Sequence, residues 1–324
     1  MAEYIGIKGS TIQTIAGDPA NPIAGQVWYN STATTLKAYG QQGTGAWASG
    51  GTMNSAHNFG YFAGTQTAGL ISGGATSGVT TNVALTESYN GTSWTEVNDL
   101  TTARRQGGYG GTQASALIFG GSSVTVCESW DGTSWTEVGN LVGTNGNSVR
   151  GTATSNTSAL AFGMTSAGAP FYTTNTDSWN GTSWTAVNVL NSSRSKGAPG
   201  GTATSAFYAS GAPLSPAEQV EYWDGTNWTE GADMVDGRDG FGGAGSSNAA
   251  GLVFGGSNPP GLSALTEQYD GSTWTEVGDL ASAREGVQGG GTSITAIAAG
   301  GYPPDITVAE EWSTPDATKT FTAT

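Results

Sequence analysis

One nine-residue phrase is written five times in this chain. It reads "YNGTSWTEV" at 89–97, "WDGTSWTEV" at 130–138, "WNGTSWTAV" at 179–187, "WDGTNWTEG" at 223–231 and "YDGSTWTEV" at 269–277. The second aromatic of each copy makes a ruler: Trp94, Trp135, Trp184, Trp228 and Trp274, at intervals of 41, 49, 44 and 46 residues. A chain that repeats at this period builds one small unit many times. Such a unit cannot bury both its faces alone, so the copies must stack.

Other residues keep step with the ruler. Six positions on comes an aliphatic side chain: Leu100, Leu141, Leu190, Met234 or Leu280. Four further on comes Arg104, Asn145, Arg194, Arg238 or Arg284. Then follow a glycine (Gly111, Gly151, Gly201, Gly245, Gly291) and an apolar run ending near a glycine pair, as in "ALIFGG" at 116–121. An acid next stands two places before an aromatic: Glu128 and Trp130, Asp177 and Trp179, Glu221 and Trp223, Glu267 and Tyr269, Glu310 and Trp312. An earlier copy starts at Met53, with His57 in the arginine place, and carries Gly64, "LISGG", Glu87 and Tyr89. The last copy runs from Leu280 to Phe321, with Phe321 in the place of the ruler Trp, which makes six full repeats.

Asn-Gly or Asp-Gly between aromatic-bearing segments is hairpin chemistry. No apolar period of 3.6 persists, so helices are not expected. Four short strands per 40–50 residues predict an all-β chain of four-stranded β-propeller blades. In this reading the ruler Trp packs one blade on the next, and the glycine pair lets strands approach closely near a central channel.

This order of residues resembles the kelch repeat: apolar strand, Gly-Gly, variable loop, acid, Tyr or Trp, short turn, Trp, then an aliphatic and Arg. The resemblance spans 53–324 and implies a kelch-like β-propeller. It departs at His57 and Asn145 (for Arg), at Gly163-Met164 (for Gly-Gly) and at Phe321 (for Trp).

Residues 1–52 form an N-terminal β segment with two readings. Trp47 lies six before Met53, the ruler-to-aliphatic spacing, which suits a divergent seventh blade. Alternatively the segment is a separate β module. "IKGSTIQTIAGDPANPIAGQVWYNSTATTLKAY" resembles the N-terminal segment of structural proteins of tailed bacteriophages. Kelch-like propellers behind such a segment are similar to those of phages of marine bacteria. The resemblance implies a virion structural protein, made in the host cytoplasm and displayed on the particle surface. Its expected task is host adhesion, as a tail fibre or receptor-binding protein. Capsid decoration, as a head fibre, is one alternative; an intracellular kelch interaction scaffold is another. Expected partners are other virion proteins, met through residues 1–52 or a disc face, and host surface glycan or protein.

Composition narrows the field further. With 25 acidic against 10 basic residues the net charge is −15, which disfavours nucleic acid and anionic membrane surfaces. Cys127 is the single cysteine, so no intrachain disulfide forms. The first residues, "MAEYIGIKGS", lack the basic and long apolar regions of a signal peptide. No apolar run is long enough to span a membrane.

An enzyme is not expected. Copper-radical oxidases with kelch-like propellers need several histidines and a Cys–Tyr crosslink, whereas this chain has only His57 and Cys127. No catalytic residue, metal ligand or cofactor is therefore assigned. The acids recur at one equivalent position, which suits ion pairs with Arg104, Arg194, Arg238 and Arg284 better than a symmetry-breaking catalytic pair. Asn-x-Ser/Thr at Asn90, Asn180 and Asn227 reads as turn chemistry. Length varies chiefly between the second and third strands, where Pro170, Pro213, Pro216, Pro259, Pro260, Pro303 and Pro304 collect. The candidate ligand-binding residues lie on these loops: Phe171, Tyr172, Tyr302, Pro213 and Pro259.

Overall fold

The nonapeptides fold through their first polar residue. In each copy Oδ1 of Asn90, Asp131, Asn180, Asp224 or Asp270 accepts the backbone N–H groups two and three residues on, at 2.7–3.0 Å. The next residue is glycine at φ between +89° and +97°, a conformation that a side chain would strain. The turn sets the flanking aromatics opposite each other on paired strands, Tyr89 to Trp94 and Trp130 to Trp135 among them. Ring centroids in these five pairs lie 4.6–5.4 Å apart. The structure, a computed structural model, describes residues 12–23, 25–41, 44–76, 78, 80–142, 148–166, 171–213, 218–258 and 261–321.

The described residues form strands and turns, with no helix among them. Each repeat is an antiparallel four-stranded sheet. The first comprises Tyr61–Thr65, Ala68–Ser72, Thr86–Tyr89 and Trp94–Val97; the second comprises Gly108–Thr112, Ser115–Phe119, Cys127–Trp130 and Trp135–Val138. The third, fourth and fifth span 150–186, 198–230 and 242–276.

The sixth sheet corrects the assignment of Phe321. Its first three strands are Gln288–Gly291, Thr295–Ala299 and Val308–Ser313, but its outer strand is Ala46–Thr52, from the other end of the chain. Trp47 pairs with Trp312 and its ring lies 5.5 Å away, as each ruler Trp lies on its turn aromatic. Phe321 instead pairs with Leu36 in a further sheet. The reason is packing: Trp47 reaches Phe254 of the fifth sheet at 5.0 Å and donates from Nε1 to the Thr266 hydroxyl at 2.9 Å. Equivalent contacts join three further pairs of sheets. Trp184 lies 5.0 Å from Phe119, Trp228 lies 4.9 Å from Phe162 and Trp274 lies 5.6 Å from Phe207, each phenylalanine belonging to the preceding sheet.

The first strands of successive sheets lie side by side, and that of the sixth lies beside that of the first. Glycine allows the approach: a Cβ on Gly110 would come within 2.3 Å of the Ala153 nitrogen, and one on Gly243 within 2.3 Å of the Pro199 oxygen. A cavity of about 220 Å³ is lined by first-strand residues of all six sheets, including Tyr109, Thr152, Pro199 and Ala244. The glycine pair does not line this cavity. Gly73 and Gly74 adopt φ of +58° and +99°, and the Gly74 N–H donates to the Arg104 carbonyl at 2.8 Å. The pair thus docks the end of the second strand on the following inter-sheet loop.

Contacts divide the chain into residues 46–313 and a smaller unit of 1–45 with 314–324. This division differs from the expected boundary at residue 52, because 46–52 completes the sixth sheet and 314–321 leaves it. The smaller unit has a four-stranded sheet in the order Gln13–Ile15, Val27–Asn30, Thr35–Gln41, Asp316–Phe321, with its first pair parallel. Trp28 is fully buried. Asp18 gathers this hairpin: it accepts from Trp28 Nε1 at 3.2 Å and Asn30 Nδ2 at 2.7 Å, and pairs with Lys37 Nζ at 2.7 Å.

Two predictions follow from this architecture. Trp47→Ala removes a ring wedged between two sheets and should cost ~3–5 kcal/mol in denaturant unfolding, with Phe321→Ala, at a partly exposed site, costing at most about half as much; a reversed order would contradict the closing strand. The turn carboxylates of Asp131, Asp224 and Asp270 are held below 3.8 by the N–H groups they accept, Asp270 at about 2 chiefly through Thr273. Their contribution is present above pH 3.8 and lost as pH falls toward about 2. Asp270→Asn keeps the turn, as Asn90 and Asn180 do, so the variant's Tm should fall less than the parent's across that window.

Candidate functional site

The recurrent charges are used inside the fold. Arg104 meets Glu128 at 2.9 Å, Arg194 meets Glu221 at 3.1 Å, Arg238 meets Glu267 at 2.8 Å and Arg284 meets Glu310 at 2.6 Å, all buried. Each arginine comes from the loop entering a sheet, and each acid from that sheet's third strand. The acids also accept backbone N–H groups of the same loop: Thr101 at 2.7 Å to Glu128, Val235 at 2.7 Å to Glu267 and Ala281 at 2.8 Å to Glu310. The pair is therefore a staple that gives the loop its path. Burial pushes Glu267 up and Arg238 down, each against the pull of its partner's charge.

His57 fills the arginine place by reaching two oxygens, the Gly73 carbonyl at 2.7 Å and Glu87 at 3.3 Å. Burial works to raise Glu87, but hydrogen bonds from His57, Asn54 and Ser55 outweigh it and hold the carboxyl below its usual value. Asn145 lies outside the described residues. In that repeat Arg150 is buried on the first strand, where its Nε donates to the Gly197 carbonyl at 2.9 Å. The sequence signal for it was present, an arginine where other repeats have small or neutral residues, but it falls outside the repeat pattern. Cys127 occupies the strand position of Thr86, Thr176 and Thr266, and burial pushes its thiol up to about 12. Among the described residues no three His, Cys, Asp or Glu side chains gather as a metal site would require.

The loop residues singled out from sequence occupy separate loops. Phe171 is 57% exposed and meets Tyr172 edge-on at 5.1 Å, which leaves an aromatic surface open to solvent. The Tyr302 backbone pairs with that of Glu285. Pro213 is exposed, and Pro259 lies outside the described residues, as do Pro170, Pro216 and Pro260. Phe171, Pro213 and Tyr302 belong to the third, fourth and sixth repeats, so they mark a series of loops rather than one pocket.

A second group of residues was missed. Two positions before each first strand stands a residue in the left-handed region: Phe59, Gln106, Ser148, Lys196, Gly240 and Gly286, at φ between +51° and +67°. The backbones of five of them hand hydrogen bonds from repeat to repeat. Gln106 N–H donates to the Phe59 carbonyl at 2.9 Å, Phe59 to Gly286 at 2.9 Å, Gly286 to Gly240 at 2.7 Å and Gly240 to Lys196 at 2.9 Å. The bond from Phe59 to Gly286 joins the first repeat to the sixth. The belt borders a cavity of about 220 Å³ lined by Phe59, Arg105, Gln106, Lys196, Asp239, Gly240 and Glu285. Lys196 Nζ stands 3.9 Å from Asp239. Burial pushes both Asp239 and Glu285 up, and the charge of Asp239 adds to the effect on Glu285. The sequence signal was a glycine two places after Arg238 and Arg284, hidden because the other repeats carry side chains there.

No protein-family model matches the chain, and no curated protein matches it in sequence.

Removing one partner of a buried pair strands the other charge. Arg238→Met should cost ~3–5 kcal/mol, and adding Glu267→Gln should restore much of it, since the amide oxygen still accepts from Val235. Thermal unfolding of both variants checks this; an unchanged Tm for Arg238→Met would remove the staple.

Proposed function

We propose that the six repeats form a closed, six-bladed kelch-like β-propeller, and that the chain is a non-enzymatic structural protein of a tailed-phage virion. On the particle surface its loops between second and third strands bind the host surface, as a tail-fibre or receptor-binding protein does. The observation that carries this reading is a division of labour among side chains. The charges common to the repeats are paired inside and serve the scaffold, while the loops between the second and third strands vary in length and one of them exposes Phe171. A rigid scaffold with irregular loops is the usual build of a recognition protein. Side-by-side first strands and the belt bond between Phe59 and Gly286 support ring closure.

The virion part of the proposal rests on the hairpin of residues 25–39, which resembles phage attachment segments. The residues behind that resemblance, Trp28, Asn30 and Lys37, converge on Asp18 and make the motif a structural unit. The same unit leaves Ile12, Ile23, Tyr29 and Phe321 exposed, which suits docking on other virion proteins. This apolar surface also favours a second reading, capsid decoration as a head fibre. Many copies on one particle would turn weak single contacts into firm attachment.

Immunogold electron microscopy of phage particles, with antibody raised to residues 53–324, tests the proposal. Label at the tail fibres or tail tip supports adhesion, label over the head supports decoration, and unlabelled particles would return an intracellular scaffold to first place. In the adhesion case Phe171→Ala should weaken binding to host cells about tenfold, the effect of losing ~1.4 kcal/mol at an exposed aromatic contact.

A further inference from the structure

The belt needs only backbone, and glycine meets its left-handed φ without strain, as Gly240 and Gly286 do. Phe59, Gln106 and Lys196 nevertheless hold side chains there, at φ of 56°, 62° and 62°. A bulky aromatic in this region is an outlier, and such strain gathers where a side chain has a task. All three line the same cavity, with Arg105, Asp239 and Glu285. A Cβ placed on Gly240 would lie 3.5 Å from Glu285 Oε2 and 3.9 Å from Phe59 Cε1, so carboxylate and ring edge converge on one spot. The Glu285 carboxylate makes no hydrogen bond or ion pair among the described residues, and Asp239 has only the loose contact with Lys196 at 3.9 Å.

These groups define complementary ends. An aromatic ring beside two under-satisfied carboxylates recognises an organic ammonium. Arg105 and Lys196 supply charge for an anionic group. A volume of about 220 Å³ is smaller than a drug-sized pocket, so the occupant is a small molecule or one terminal group.

We propose that the belt cavity binds a small zwitterion, its ammonium end against Phe59, Asp239 and Glu285 and its anionic end toward Arg105 and Lys196. The site differs from the loops between second and third strands and holds whether or not the protein sits on a virion.

Calorimetric titration of the full chain with phosphocholine, glycine betaine, choline and inorganic phosphate tests it. Phosphocholine or glycine betaine should saturate the protein, with choline and phosphate alone at least about tenfold weaker, a difference of ~1.4 kcal/mol. Glu285→Gln and Asp239→Asn should each weaken the zwitterion about tenfold at unchanged Tm. Lys196→Gly should also weaken it while raising Tm, since the strain at that position is relieved. Cosedimentation with phosphatidylcholine vesicles distinguishes sources: pelleting assigns a membrane-borne headgroup, and binding of free phosphocholine without pelleting assigns a soluble ligand or an exposed glycan substituent. The proposal is overturned if neither zwitterion saturates below about 10 mM, a threshold corresponding to binding weaker than ~3 kcal/mol. It is equally overturned if Glu285→Gln binds as the parent does.

Discussion

A four-stranded sheet has two faces, and here neither can be left in water. The contact that resolves this, for four of the six sheets, is the ruler Trp set against a phenylalanine of the preceding sheet, as Trp228 is against Phe162 and Trp47 against Phe254. Each indole also lies on the turn aromatic of the strand it pairs with, so one side chain fixes the outer strand pair and joins it to a neighbour. Such rings combine large buried area with favoured tilted or edge-on geometry. With only 11% of its residues charged, the fold depends on this aromatic series more than on surface electrostatics.

The buried ion pairs act at a different level. They add little by themselves, since desolvation works against both partners. Their value lies in direction: Glu128, Glu267 and Glu310 accept backbone N–H groups that would otherwise be stranded in a loop with no regular structure. The loop entering each sheet is thereby held, and the belt residues that follow it can take up left-handed geometry in register with the next repeat.

Much of the fold was legible because its signals are local. Asn-Gly and Asp-Gly announced the turns, and the aromatic spacing announced the hairpins. Trp47 carried the spacing of a ruler residue, yet Phe321 was preferred as the last ruler position because it continued the chain in order. What decided between them was a non-local pairing with Val308–Ser313, and strand pairing across the ends of a chain leaves no mark in the intervening sequence. The glycine pair was recognised as glycine but given the wrong neighbour, since φ alone does not say what a residue approaches. The candidate cavity was less legible still. Its residues share a backbone conformation, not a residue type, and Phe59, Gln106 and Lys196 look unrelated until their φ values are compared.

The strand Ala46–Thr52 also bears on how the protein is made. It leaves the ribosome ahead of the other strands of the repeat array, whereas its partner Val308–Ser313 emerges only after the first five sheets. During synthesis it waits as an exposed edge carrying Trp47, while five sheets form from contacts close in sequence. Completion is therefore the most non-local event in folding, and loop-closure entropy makes such events slow. Until it occurs the sixth sheet also has an open edge, a template for pairing with another chain. Order of emergence thus places the greatest hazard of misassembly late in the synthesis of the repeat array, in the interval before Ala46–Thr52 and Val308–Ser313 meet.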